Sequence, residues 1–169
     1  VNFGIAYGQG AFGLSQNLGI PRAEAKQIID DYFAQFPGVR NYMDEMIGFC
    51  RTHGYIKTLM GRRRYLPDIT SANNTVRAQA ERIAINAPMQ GSAADIIKVA
   101  MVNIHRDIKA QGPKGRVLLQ VHDELVFDVH ADELAAMKEL VKQRMEGALA
   151  LDVPLVVDMG VGKNWLEAH

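Results

Sequence analysis

Helical spacing of apolar residues from about Asn73 to Gln111 gives way, within a few residues, to two short runs of Val, Leu and Phe, Val117–Val121 and Leu125–Val129. This change of character, from helical spacing to short runs rich in Val, Leu and Phe, constrains the fold more than any other feature. A long helix must feed an antiparallel pair of strands, joined at the triplet His122-Asp123-Glu124. Pro88 lies inside the helical pattern, where it removes one backbone donor and crowds the preceding turn, so a kink is expected there.

Upstream, residues 21–36 (PRAEAKQIIDDYFAQF) open with Pro21 at a helix start and set Ala25, Ile28, Ile29, Tyr32, Phe33 and Phe36 at helical spacing. Pro37-Gly38 ends that helix, and a second runs through VRNYMDEMIGFCRTH to Gly54. Residues 55–69 alternate briefly on both sides of Gly61, which predicts a small hairpin or an ordered loop. After the two strands, residues 131–149 read as an amphipathic helix with Leu134, Met137, Leu140, Val141 and Met145 on one face, and Leu155–Val161 reads as a third strand. Helices first, then strand–strand–helix–strand, predict an α+β fold: a helical portion followed by a small antiparallel sheet packed on helices.

Composition narrows the class. The chain has 169 residues, 48% of them hydrophobic, enough for a core and too many for wholesale disorder. A single Cys50 forms no internal disulfide and has no metal-binding companions, which fits a reducing, intracellular setting. No apolar run reaches the roughly 18 residues of a membrane span, and no signal-peptide pattern is present. The first residues include no initiator Met, so the chain is expected to be a fragment. Net charge is zero, but residues 51–82 hold seven basic side chains (Arg51, Lys57, Arg62, Arg63, Arg64, Arg77, Arg82) against two acidic ones. Such a stripe suits a polyanion, and equally a solvated face.

GQGAFG at residues 8–13 has the spelling of a dinucleotide-binding loop, with Asp30 and Asp31 downstream. Its context excludes that use: Gly19 and Pro21 stop the following helix within two turns, and the acids fall inside another helix rather than at a strand end.

Three other constellations carry chemistry. At the hairpin tip, His-Asp-Glu is a poor choice on turn grounds, since two-residue turns favour Asn-Gly or Asp-Gly. A carboxylate mounted on a sheet is rigidly held, as a ligand of a hard divalent cation must be, although acids at a tip are often merely solvated. On the long helix, Arg82, Asn86 and Gln90 recur every fourth residue. They form a row of donors suited to the minor-groove acceptors present at every base pair, or else an ordinary polar face. In NFGIAYG, Phe3 and Tyr7 stand one turn apart with Gly4 and Gly8 leaving room beside them, for stacking on a base or for packing in a core.

Taken in order, NFGIAYG, TLMGRRRYLPDI, ERIAINAPMQGSAADIIK and QVHDELVFDV, through to the terminal GKNWLEAH, closely resemble the C-terminal portion of bacterial family A DNA polymerases over the whole chain. The resemblance implies that residues 1–72 are the C-terminal part of the fingers and 73–169 that of the palm. It implies Asp123 as ligand of two catalytic Mg²⁺ ions, Glu124 as an auxiliary carboxylate and His122 near the primer terminus. It further implies Phe3 beside the sugar and base of the incoming nucleotide and Tyr7 at the templating position. Arg82, Asn86 and Gln90 would contact primer–template DNA, with Arg62 and Arg63 of the basic loop on the template backbone. The expected reaction is nucleotidyl transfer from a dNTP to a primer 3′-hydroxyl, in a bacterial cytoplasmic, nucleoid-associated enzyme without membrane partners.

The family's triphosphate-binding Arg and Lys just before NFG, and a partner Asp farther upstream, have no counterpart in this chain. The end of the chain matches the family's end. The isolated chain is therefore expected to be inactive, with the remainder of the polymerase completing the site. Two other readings stand beside this one: a non-catalytic DNA-binding module, and a single-subunit RNA polymerase relative. The HDE triplet and the full-length match favour the DNA enzyme.

Overall fold

The computed structural model describes residues 1–168, the side chain of Gln111 excepted, as two compact units, residues 1–92 and 93–168.

The first unit begins with three helices, α1 (Asn2–Ala6), α2 (Ala11–Leu18) and α3 (Arg22–Gln35). Ile5, Leu14 and Ala25, one from each, form a small fully buried core. Gly19 closes α2 in the left-handed conformation at φ 65°, and Pro21 precedes α3. GQGAFG spans the start of α2, with Gly10 as its N-cap and no strand before it, so the dinucleotide-loop spelling has no matching structure.

Helix α4 (Pro37–His53) takes Pro37 in its first turn, where the missing N–H costs no helix hydrogen bond, and ends on Gly54 at φ 74°. The expected hairpin follows as β1 (Tyr55–Lys57) paired antiparallel with β2 (Arg63–Tyr65). The long helix α5 (Asn74–Gln111) opens on Asn73, whose Oδ1 accepts from the backbone N–H of Thr75 at 2.9 Å. It runs unbroken through Pro88. Cys50, Ile56, Leu66, Ile69, Ala80 and Ala84 make the larger core of this unit. There the Tyr42 hydroxyl donates to the carbonyl of Ile85 at 3.0 Å, tying α4 to α5. Burial, with Glu45 nearby, raises the Tyr42 hydroxyl pKa above its ordinary value.

In the second unit β3 (Gly115–Val121) and β4 (Glu124–Val129) form an antiparallel pair. The register slips by one residue between Val117 and Leu119, a β-bulge at Leu118. One face of the pair, carrying Val117, Leu125, Phe127 and Val129, packs on Ala100 and Ile104 of α5 and on Met137 and Val141 of α6 (Leu134–Glu146). The α+β architecture is thus as expected. A short α7 (Trp165–Ala168) closes the described chain.

Two expectations need correction. Residues 131–133 form a 3-10 turn, so the helix starts only at Leu134. Leu155–Val161 is not a strand. A strand exists through its ladder, and among the described residues β3 and β4 pair only with each other. The Val157 N–H instead donates to Glu146 Oε1 at 3.2 Å. No helix among the described residues is long and apolar enough to cross a membrane.

Candidate nucleic-acid surface and metal-binding hairpin

NFGIAYG folds into α1 and the turn that follows it. Its buried residue is Ile5, at 1% exposure, whereas Phe3 is 80% and Tyr7 39% exposed. Core packing is thereby ruled out for the aromatic pair. Their rings lie nearly parallel, 17° apart with centroids at 6.4 Å, and present aromatic surface to solvent. The two glycines behave differently from the expectation of open space. A Cβ on Gly4 would meet the Gln9 side chain at 2.1 Å, so that gap is filled. Gly8 is needed for its φ of 83°, and its α-carbon faces Arg82 and Ile85 of α5.

The turn at Tyr7-Gly8 thus docks on the same stretch of α5 that carries the donor row. Arg82 and Gln90 are exposed. Asn86 is half-buried and turns toward α1, its Nδ2 donating to the Tyr7 carbonyl at 3.5 Å. Phe3, Tyr7, Arg82, Asn86 and Gln90, far apart in sequence, are brought together in one unit.

The basic hairpin is more ordered than its composition suggests. Arg63 lies over the Tyr55 ring at 4.6 Å, and Tyr55 meets Tyr65 edge to face across the ladder. The Arg62 guanidinium donates from Nη2 to the carbonyl of Gly91 at 3.0 Å, so one of its donors is held by the protein. Two residues not singled out from the sequence join this contact. The Leu59 N–H donates to Ser92 Oγ at 2.9 Å, and Ser92 Oγ donates to the Pro88 carbonyl at 2.6 Å. The sequence signal for them was the Gly91-Ser92 pair after Pro88, where a missing Cβ admits a neighbour and a hydroxyl supports a disturbed turn.

In the other unit, His122 and Asp123 form a two-residue turn closed by the Val121–Glu124 pair. His122 sits at φ 53°, the one non-glycine residue with positive φ among those described. Positive φ at the first central position is the habit of type II′ hairpins, where glycine is usual. Gln120 Nε2 donates to the His122 carbonyl at 3.1 Å and braces the turn. His122 and Asp123 are exposed and Glu124 is half-buried. Adjacent carboxylates on a short, braced hairpin supply oxygen donors of the kind a hard divalent cation prefers. Among the described residues no group of three or more His, Cys, Asp or Glu side chains converges, so Asp123 and Glu124 make at most part of such a site.

Comparison with known proteins places the chain in a family. The family described as DNA polymerase family A matches residues 1–167. DNA polymerase I of Streptococcus pneumoniae is 55% identical over 99% of this chain, and that of Bacillus subtilis 52% identical over 99%. The chain spans 19% of the length of each of these relatives. Among solved structures, the polymerase domain of Pol1 from M. smegmatis, in complex with DNA primer-template and dNTP, is 50% identical. It superposes with a TM-score of 0.96, over 99% of this chain and 30% of that one. Matched by the family over residues 1–167, this chain belongs to DNA polymerase family A.

Proposed function

We propose that this chain supplies part of the active site of a template-directed DNA polymerase, residues 1–72 belonging to its fingers and 73–169 to its palm. In the reaction a primer 3′-hydroxyl gives up its proton and its oxygen bonds to the α-phosphorus of a dNTP, as the bond to pyrophosphate breaks. The observation that carries the reading is the union of an exposed aromatic pair, Phe3 and Tyr7, with the α5 donor row through Asn86 and Gly8. A stacking surface beside hydrogen-bond donors suits a nascent base pair and the duplex behind it.

In this reading Phe3 stacks beside the sugar and base of the dNTP, and Tyr7 borders the templating base. Arg82, Asn86 and Gln90 donate to primer–template. Arg62 and Arg63 lie along the template backbone. His122 stands at the primer terminus. Asp123 would hold two Mg²⁺ ions, with Glu124 auxiliary, and these ions when bound would acidify the attacking hydroxyl and neutralise the leaving pyrophosphate. The Gln120 brace on the His122 carbonyl steadies the backbone that carries Asp123, and electrostatic catalysis requires a carboxylate held in place. Since no third ligand joins these two acids among the described residues, the chain alone is expected to be inactive. A further carboxylate and the cations for the triphosphate would come from the remainder of the polymerase, acting on DNA in the bacterial cytoplasm and nucleoid.

Primer extension with Mg²⁺ and four dNTPs tests this, comparing the 169-residue chain with the same chain joined to a family A polymerase's upstream portion. Extension only in the joined protein supports the reading. Extension by the short chain overturns the split site. Salt-dependent DNA binding with no extension in either would favour a DNA-binding module.

A further inference from the structure

The contact between the basic hairpin and the middle of α5 is built more tightly than a surface loop requires. Pro88 has no N–H to donate, so α5 lacks one hydrogen bond there, and four groups gather at the turn that follows. Ser92, 6% exposed, donates its hydroxyl to the Pro88 carbonyl and accepts the Leu59 N–H from the hairpin loop. Arg62 donates to the Gly91 carbonyl. Thr58 is locked in place from both sides. Its N–H donates to the Arg62 carbonyl at 2.9 Å, and its Oγ1 accepts the Arg62 N–H at 3.2 Å. Its methyl group then fills the space that a Cβ on Gly91 would need, at 2.5 Å. Threonine is stiff at χ1 and this rotamer is hydrogen-bonded, so the methyl cannot swing aside cheaply.

We infer that Thr58, Arg62 and Ser92 are positioning residues that join the β1–β2 hairpin to the Pro88–Ser92 turn of α5. They thereby hold Gln90 and Arg63 in one fixed DNA-contacting platform. Gln90 lies between Pro88 and Gly91, on the turn being clamped. Arg63 follows the clamped Arg62 and is braced on Tyr55. Loosening the clamp shifts a groove donor against a backbone cation while removing neither. This rests on the proposed contact of Gln90 and the hairpin with primer–template.

The test uses the full polymerase carrying this chain, with Gly91→Ala, Gly91→Ala/Thr58→Ser, Ser92→Ala and Gln90→Ala compared. The readouts are KM for primer–template, kcat, the ratio of extension from matched over mismatched primer ends, and melting temperature. Gly91→Ala is expected to raise KM and lower the ratio by about tenfold each, with kcat on matched DNA within about threefold. Thr58→Ser removes the obstructing methyl and keeps the hydroxyl, so the double variant is expected to return both values to within about twofold. Ser92→Ala is expected to shift both by several-fold in the same direction, and decides the matter should Gly91→Ala not fold. A lowered melting temperature with KM and ratio unmoved overturns the inference, as does a double variant that fails to recover. Gln90→Ala separates the two levels. If it changes neither KM nor ratio, the reading of α5 as a DNA contact fails and the inference with it; if it changes them while the clamp variants do not, the inference alone fails.

Discussion

The side chain of Asn86 reaches the backbone carbonyl of Tyr7, seventy-nine residues earlier in the chain, with Nδ2 at 3.5 Å. That carbonyl caps the end of α1, where helix carbonyls lack partners of their own, and Asn86 is what α5 offers it. The bond is long, and Asn86 Oδ1 is buried without a partner. Both facts argue that the link serves position more than stability.

Asn86→Ala should therefore change unfolding stability by less than about 1 kcal/mol, because loss of a weak hydrogen bond is offset by removal of an unsatisfied buried oxygen. In the full polymerase KM for dNTP should rise several-fold, as Tyr7 loses its anchor. Urea denaturation beside steady-state kinetics checks this. A large stability loss with unchanged KM would make Asn86 a purely structural residue.

Legibility in the sequence followed whether a signal was local. Pro37 announced the break before α4 and Gly54 its end, because each acts through its own φ or its own missing donor, although Pro37 itself proves to open α4. The β3–β4 pair was readable because its two runs are adjacent in sequence and share a core face. Leu155–Val161 misled for the converse reason: its composition is that of a strand, but a strand needs a partner, and composition does not say whether one is there. Phe3 and Tyr7 were ambiguous for a similar cause. Aromatic residues one turn apart suit a core or a ligand, and only packing around Ile5 decides which face of α1 is inside. The Thr58–Gly91 contact depends on two segments meeting in space and had no local signature beyond Gly91 itself.

Tyr42 offers a test of the α4–α5 junction. Its hydroxyl donates to Ile85, within the turn that precedes Pro88. Tyr42→Phe removes that bond and little else, and should cost about 1 kcal/mol in urea-induced unfolding. The Ile85 carbonyl keeps its place in the helix, so the loss should not approach the roughly 2–5 kcal/mol of a large-to-small core change such as Ile104→Ala.

Cys50 is fully buried, and burial pushes its thiol pKa up. The native chain should therefore react with iodoacetamide far more slowly than the urea-unfolded chain at the same pH. Stability follows with a defined sign. A group whose pKa is raised on folding contributes fully below its unfolded value, and that contribution is lost as pH rises through the folded value. Unfolding midpoints of the native sequence should thus fall more steeply above the ordinary thiol range than those of Cys50→Ala. Parallel slopes would show that thiol ionisation does not couple to folding.

At the hairpin tip stability and proposed function should separate. His122 occupies φ 53°, where a side chain costs on the order of 1 kcal/mol and glycine costs nothing sterically. His122→Gly should relieve that strain, part of the gain being offset by the greater freedom of glycine in the unfolded chain. The expected result is a stability between unchanged and about 1 kcal/mol higher, alongside weaker primer extension by the full polymerase. Asp123→Asn, at an exposed position, should leave stability within about 0.5 kcal/mol. It exchanges one carboxylate oxygen for an amide that binds a hard cation poorly, so extension should fall on the order of a thousandfold or more while DNA affinity at fixed salt is retained. A strained, exposed His beside an exposed Asp is expensive as a turn, and these two variants ask whether the expense serves the reaction. Normal extension by Asp123→Asn would remove the metal assignment, and a His122→Gly protein that is less stable and fully active would show that the histidine is there for the turn.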